Sequence, residues 1–359
     1  GIRSVDKICH RMELGKDTYT LGKIRPEMEE ELCRVLADFV RIMEGYRVDA
    51  YRAMASSAIS EAANSLYVLG KIRQLTGLSV TVLSNSEQRF LGYKALAAME
   101  DNFNKVIEKG TAILDLDGGS FQISLFDKDA LVTTQNIRMG SLRVRERLAG
   151  IQSETEHYEE MVEELIWNEV SSFKKMYLKD RKIENIMLIG DVFTDSVYQN
   201  IEEKTTKIIS RENFNTWYEK IIRQSPMELA VKLGIPLENA SLMYPSAVIY
   251  KCLIDMMGAE HIWIPGVHMT RGIAYEYAEQ MKLLKGGHNF ENDILMAAKN
   301  IGKRYAVNRP HVQNLEMTAL AMFDATKKMH GMKERERLLL QMAVMLHDVG
   351  KYISFNNVA

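Results

Sequence analysis

The stretch Asp115-Leu-Asp117-Gly118-Gly119-Ser120 combines residue types suited to holding a phosphate. Glycines let backbone N–H groups come close to an anion, and the serine adds a hydroxyl donor. A carboxylate at the end of a strand can hold a divalent cation such as Mg²⁺ that bridges phosphate oxygens. Spacing alone leaves a plainer alternative open, because Asp-Gly-Gly is also an ordinary hairpin turn.

The flanking residues must supply the strands that hold such a turn. Thr111 to Asp117 is an apolar run ending in acids, Phe121 to Phe126 alternates, and Leu131 to Ile137 returns. That pattern predicts a hairpin with the glycines at its tip. Upstream, Arg25 to Gly45 carries Met28, Leu32, Val35, Leu36, Phe39 and Met43 at helical spacing, with Pro26 in its first turn. Val48 to Ala55 and Leu78 to Leu83 read as strands; Ser56 to Leu75 and Glu87 to Met99 read as helices. Downstream, strands at 186–189 and 261–264 alternate with helices at 153–179, 227–234 and 244–258. The alternation predicts an α/β protein of two lobes, 1–109 and 110–284. Lys285-Gly-Gly-His-Asn289 reads as a linker. Beyond it Asp293 to Tyr305, Val312 to Met329 and Arg335 to His347 are amphipathic, so 285–359 is expected to be an all-α module.

Composition sets outer bounds. The 359 residues are 46% hydrophobic and 26% charged, which describes a globular chain of two or three domains. A formal net charge of −2 advertises neither a nucleic-acid nor a membrane partner, although a local basic cleft could still take an anion. Cys9, Cys33 and Cys252 are widely spaced and form no CxxC pair, and no run approaches eighteen apolar residues. Reduced thiols in a cytoplasmic protein are the expectation.

Four blocks carry a family resemblance. Residues 55–64 read Ala-Ser-Ser-Ala-Ile-Ser-Glu-Ala-Ala-Asn, and 83–93 read Leu-Ser-Asn-Ser-Glu-Gln-Arg-Phe-Leu-Gly-Tyr. The turn at 115–122 reads Asp-Leu-Asp-Gly-Gly-Ser-Phe-Gln, and 140–147 read Gly-Ser-Leu-Arg-Val-Arg-Glu-Arg. In order and spacing these resemble the blocks of the exopolyphosphatase/guanosine pentaphosphate phosphatase family, with similarity along essentially the whole chain. The resemblance implies two actin-like (ribonuclease H-like) lobes, an HD-type helical domain and hydrolysis of a terminal phosphoanhydride. The substrate it implies is inorganic polyphosphate or a guanosine penta-/tetraphosphate. On the matching positions, Glu87 is the general base and Asp115 the acid associated with Mg²⁺ or Mn²⁺. Gly118, Gly119, Ser120 and Gly190 are the phosphate contacts. A homodimer is the expected assembly.

The chain also departs from the family pattern. Ser60 stands where the family has a phosphate-binding arginine, Gln122 where it has a glutamate, and Asp117 where it has a glycine. Gly190-Asp191-Val192 stands in place of a Gly-Gly-Thr contact. The family's opening phosphate strand has no counterpart, and the last residues fall inside the expected helical domain, so truncation at both ends is expected. Arg143, Arg145 and Arg147, with Arg89 near Glu87, could restore positive charge or could form a solvated face. These departures keep alive a second reading, a polyphosphate- or nucleotide-binding sensor without turnover, and a third, a sugar kinase or ATPase of the same superfold. In the third module His311, His347 and Asp348 resemble the His…His-Asp core of HD domains, which could bind a divalent metal. The alternative is that these side chains satisfy hydrogen bonds between helices.

Overall fold

The structure is a computed structural model and describes residues 2–99, 103–128, 130–149, 158–178, 181–190, 192–200, 207–284 and 290–352. Two sheets organise it. The small one pairs β1 (Ala53–Ala55) and β2 (Val80–Val82) in parallel. The large one contains β3 (Thr111–Leu116), β4 (Phe121–Asp127), β5 (Ala130–Ile137), β6 (Asn185–Ile189), β7 (Ile208–Ser210) and β8 (His261–Trp263), in the order β5-β4-β3-β6-β8-β7. Strands β3, β4 and β5 form the expected antiparallel meander, while β6 and β8 continue the sheet in parallel.

Alternation along β3 explains why this strand carries the site. Ala112, Leu114 and Leu116 point to one face and bury against the long helix Leu237–Met257, whose Ala247, Val248, Tyr250 and Ile254 are fully covered. Ile113 points to the other face and joins Tyr93, Leu96, Phe126 and Met187 in a second core. Asp115, two residues on, shares that second face. With apolar layers on both sides, the strand can hold one acid in fixed position.

The elements above the second face come from distant parts of the sequence. Helix Asn85–Met99 lies on the sheet and crosses helix Met269–Gln280 so closely that a methyl group at Gly272 would overlap the Leu91 carbonyl. Helix Phe290–Arg304 follows, with Phe290 edge-on to Phe90 at 5.1 Å. Tyr93, Leu96, Phe103, Val106 and Ile107, read from sequence as first lobe, therefore bury in the core of the large sheet. The remaining first-lobe core, from Ile24 to Val82, is separate.

The expected long helix at 56–75 is interrupted, running as Ser57–Ser60 and Ser65–Thr76. Asn64, at the break, accepts from the Ile24 amide at 3.0 Å and donates to the Ile24 carbonyl and to Glu29, both at 2.8 Å. Those tertiary bonds outweigh local helix propensity. Likewise the strand expected at 48–55 is only Ala53–Ala55, and that expected at 78–83 only Val80–Val82. From Phe290 onward every described element is helical. Much of the expected helix at 153–179 is present as Tyr158–Phe173, which ends in a widened turn, Lys174–Leu178; residues 153–157 and 179 lie outside the described residues.

Candidate active site

Asp115 occupies the penultimate position of β3, directly opposite Gln122 of β4 and beside Ile189 of β6. Two glycines make room for its carboxylate. A methyl group at Gly190 would sit 2.5 Å from Oδ1, and one at Gly92 would sit 3.5 Å from Oδ2. Gly190 also has φ +104°, a conformation that L side chains rarely adopt. Asp115 and Gly190 line a cavity of about 130 Å³ together with Asp117 and Gln122. Ser56, Gln88 and Gly92 close it from the other side, and His268 precedes the helix that starts at Met269. Segments near 56, 90, 116, 190 and 268 thus meet in one place.

The donor set of this cavity suits a hard cation. The Gln122 side chain is 4% exposed, and its Oε1 is buried without a hydrogen-bond partner. Beside it on the same face, Asn136 of β5 leaves its Oδ1 in the same condition. Buried orphan acceptors next to a carboxylate are the chemistry that a bound Mg²⁺ or Mn²⁺ satisfies.

The Gly-rich turn is held from behind. Ser120 O accepts from the Asp117 amide at 2.9 Å, which closes the turn. The Asp117 and Gly118 carbonyls accept from the Ser141 and Arg143 amides at 3.1 and 2.9 Å, in the first turn of helix Ser141–Leu148. Gly140 has no side chain because one would overlap Asp117 and Gly118. Burial pushes the Asp117 carboxyl above its ordinary value, partly offset by the Gly118 amide that donates to Oδ1 at 2.7 Å.

Of the turn residues, only Asp117 reaches the cavity; Gly118, Gly119 and Ser120 do not line it. Gly119 instead packs beneath the Tyr19 phenol and the Ser57 hydroxyl, which hydrogen-bond to each other at 2.9 Å. Arg143 lies 4.2 Å above the Tyr19 ring, donates to the Gly119 carbonyl at 2.9 Å and pairs with Glu61 at 2.8 Å. Arg145 is committed to Glu13 and Glu146. These two arginines therefore form half-buried ties to carboxylates rather than a solvated face, and neither lines the cavity. Arg147 is exposed, and Arg89 donates to Ser86.

Glu87 is exposed at the start of helix Asn85–Met99. Its carboxylate accepts from the Ser84 amide at 2.8 Å and the Ser84 hydroxyl at 2.7 Å, and its own amide donates to Ser84 Oγ at 3.2 Å. This is a capping box. The Ser84 amide, then its hydroxyl, hold the Glu87 carboxyl below its ordinary value. Gln88, the next residue, is buried and lines the cavity. Ser60 is exposed and does not line it.

Sequence reasoning missed Ser56, Gln88 and His268. The first two lie inside blocks already singled out, so their neighbours were the available signal. His268 carried none; it approaches Asp195 at 3.4 Å and Lys7 at 3.3 Å.

The third module brings its expected residues together. Ligand atoms of His311, His347 and Asp348 lie within 4.8 Å of one another. His347 Nδ1 sits 2.6 Å from the Val344 carbonyl, which leaves Nε2 toward Asp348 Oδ1 at 3.0 Å. Lys351 pairs with the same oxygen at 2.6 Å and is the main reason that the Asp348 carboxyl lies below its ordinary value.

Comparison with known proteins bears on the family and the fold. Residues 2–281 match the model of the Ppx/GppA phosphatase family, and residues 295–359 match that of Ppx/GppA phosphatase domain III. The guanosine-5'-triphosphate,3'-diphosphate pyrophosphatase of Photobacterium profundum is 19% identical over 99% of this chain and 69% of its own length. The bifunctional 3-dehydroquinate synthase/phosphatase of Fusobacterium nucleatum is 20% identical over 72% of this chain, which corresponds to 40% of that protein. Among solved structures, an exopolyphosphatase from Cytophaga hutchinsonii superposes with a TM-score of 0.64 at 17% identity, covering 74% of this chain and 87% of its own. The Ppx/GppA family member of Aquifex aeolicus gives 0.58 at 16%, covering 75% and 87%. With an actin-like α/β fold and a family match over most of its length, the chain belongs to the Ppx/GppA phosphatase family.

Proposed function

We propose that the cavity around Asp115 hydrolyses the terminal phosphoanhydride of inorganic polyphosphate or of a guanosine penta-/tetraphosphate. The observation that carries this reading is the Asp115 carboxylate, set between Gly92 and Gly190 on the wall of a cavity where five distant segments converge. Asp115, with Gln122 Oε1 beside it, would hold Mg²⁺ or Mn²⁺, whose charge offsets that of the phosphates. Gly190 keeps the approach to Asp115 clear, and the turn at 117–120 fixes the end of β3. In the reaction, a water oxygen bonds to the terminal phosphorus while the bridging P–O bond breaks and the leaving phosphate keeps the electron pair. Glu87 would take the water's proton. Both bonds from Ser84 end on Oε2, so Oε1 is the oxygen that would accept that proton.

His311, His347 and Asp348 would hold a second divalent ion, displacing Lys351 from Asp348. No helix among the described residues is long and apolar enough to cross a membrane. From the family resemblance, not from that absence, we propose a cytoplasmic homodimer.

A second reading, binding without turnover, is favoured by one feature: the residue opposite Asp115 is a neutral amide. Phosphate release from long-chain polyphosphate and from guanosine pentaphosphate, each with Mg²⁺ or Mn²⁺, separates the two. Release supports hydrolysis; tight binding of either compound with no release supports the sensor.

A further inference from the structure

A second cavity lies away from Asp115, along the outer edge of the big sheet. It has a volume of about 690 Å³ and is floored by Val132, Thr133, Thr134 and Gln135 of β5. One wall is helix Phe290–Arg304, and the other is the widened turn Lys174–Leu178 with Arg181. Strand β5 ends the sheet, so alternate residues direct N–H and C=O groups outward. At one end the Asn300 amide covers the Leu131 and Val132 carbonyls, at 3.2 and 3.4 Å, and the strand runs on for five residues beyond that cover. Strands that must not pair usually carry lysine, glutamate or proline on such an edge. Residues 130–137 read Ala-Leu-Val-Thr-Thr-Gln-Asn-Ile, without a charge or a proline.

The charged residues described in the groove's lining are Arg181, Lys303 and Arg304; among the described residues no acidic side chain lines it. Arg304 is pinned over the Tyr177 ring at 4.6 Å, and Arg181 is steadied by Asp127 at 3.4 Å, so the cations stay at the rim. We propose that this groove docks a short, extended, acidic segment of another protein, which adds as a strand to β5 while its carboxylates meet Arg181, Lys303 and Arg304. Strand addition supplies main-chain hydrogen bonds and the rim supplies charge selection. Four floor residues span about 13 Å at strand rise, so the segment is four to five residues long. A second copy of this chain fits poorly, because two-fold pairing of β5 edges would set the same cations against each other. A free polyphosphate also fits poorly: it offers acceptors only, and half of the edge groups are themselves acceptors.

The test uses fluorescence anisotropy with a labelled Glu-Val-Thr-Glu-Val-Glu peptide and the full chain. Two copies of the peptide, N-methylated at odd or at even residues, remove one or the other set of amide donors. The expected result is saturable binding, with one methylated copy bound at least about tenfold more weakly and the other nearly unchanged. The Lys303→Glu/Arg304→Glu variant, checked by circular dichroism and melting, should lose binding by at least about tenfold. Gln135→Pro provides a second route, since it alters the edge without touching charge and should also weaken binding. No saturable binding would overturn the proposal. So would equal binding of both methylated copies, displacement of the peptide by polyphosphate at matched charge, or dimerisation of the free chain through β5.

Discussion

Asp115 shows how much a single carboxylate depends on what its neighbours lack. Gly190 stands 2.5 Å from it at the position of a missing methyl group and holds φ +104°. Gly190→Ala should therefore strain the backbone by about 1–3 kcal/mol and displace the carboxylate. The expected outcome is a folded protein with a lower melting temperature and at least about tenfold less phosphate release, measured by calorimetry and a molybdate assay. Glu87 offers a cleaner substitution. A capping box accepts glutamine as readily as glutamate, so Glu87→Gln keeps the helix start while removing the base. Turnover should fall roughly 10²–10⁴-fold with little change in melting temperature at neutral pH. Asp115 stands in a block with recognisable order and Gly190 at the place of the Gly-Gly-Thr contact, and both line the cavity, whereas Gly118, Gly119 and Ser120 do not. Ser56, Gln88 and His268 were not legible in the sequence, since they reach the cavity only through the crossing of helices far apart in the sequence.

At the scale of elements, the sheet was easier to read than its cover. Strands β3, β4 and β5 announce themselves by alternation and a glycine turn, whereas β7 is three residues long and too short to carry a period. The break at Asn64 was invisible because its cause is a set of bonds to Ile24 and Glu29, some forty residues away. The cover's weak point is the crossing at Gly272. Any side chain there meets the Leu91 carbonyl, a backbone atom that cannot swing aside. Gly272→Ala should cost about 3 kcal/mol, the upper end of overpacking penalties, although alanine is the better helix former. Urea denaturation checks this; an unchanged or raised midpoint would show that the helices slide apart without cost.

Across the whole molecule, helix Ser141–Leu148 ties the parts together. Arg143 reaches Glu61 and Tyr19 of the first lobe while gripping the Gly119 carbonyl of the second. Burial, then the negative charges of Asp117 and Glu61, push the Tyr19 phenol up to about 12, against the pull of Ser57 and Arg143. The folded protein then keeps this proton at pH values where the unfolded chain, near 10, has lost it. Stability must fall as pH rises from about 10 to about 12. In Tyr19→Phe that fall should be shallower, with Tyr93 accounting for part of what remains, since it too is pushed up to about 12. Chemical denaturation at a series of alkaline pH values reads the difference directly. The most direct trial of the account concerns Asp115 itself: phosphate release from long-chain polyphosphate and guanosine pentaphosphate, with Mg²⁺, by the unmodified chain and by Asp115→Asn. The account predicts metal-dependent release from at least one of the two compounds, reduced about 10²–10³-fold or more in Asp115→Asn while the variant stays folded. Equal release by the two proteins would contradict it.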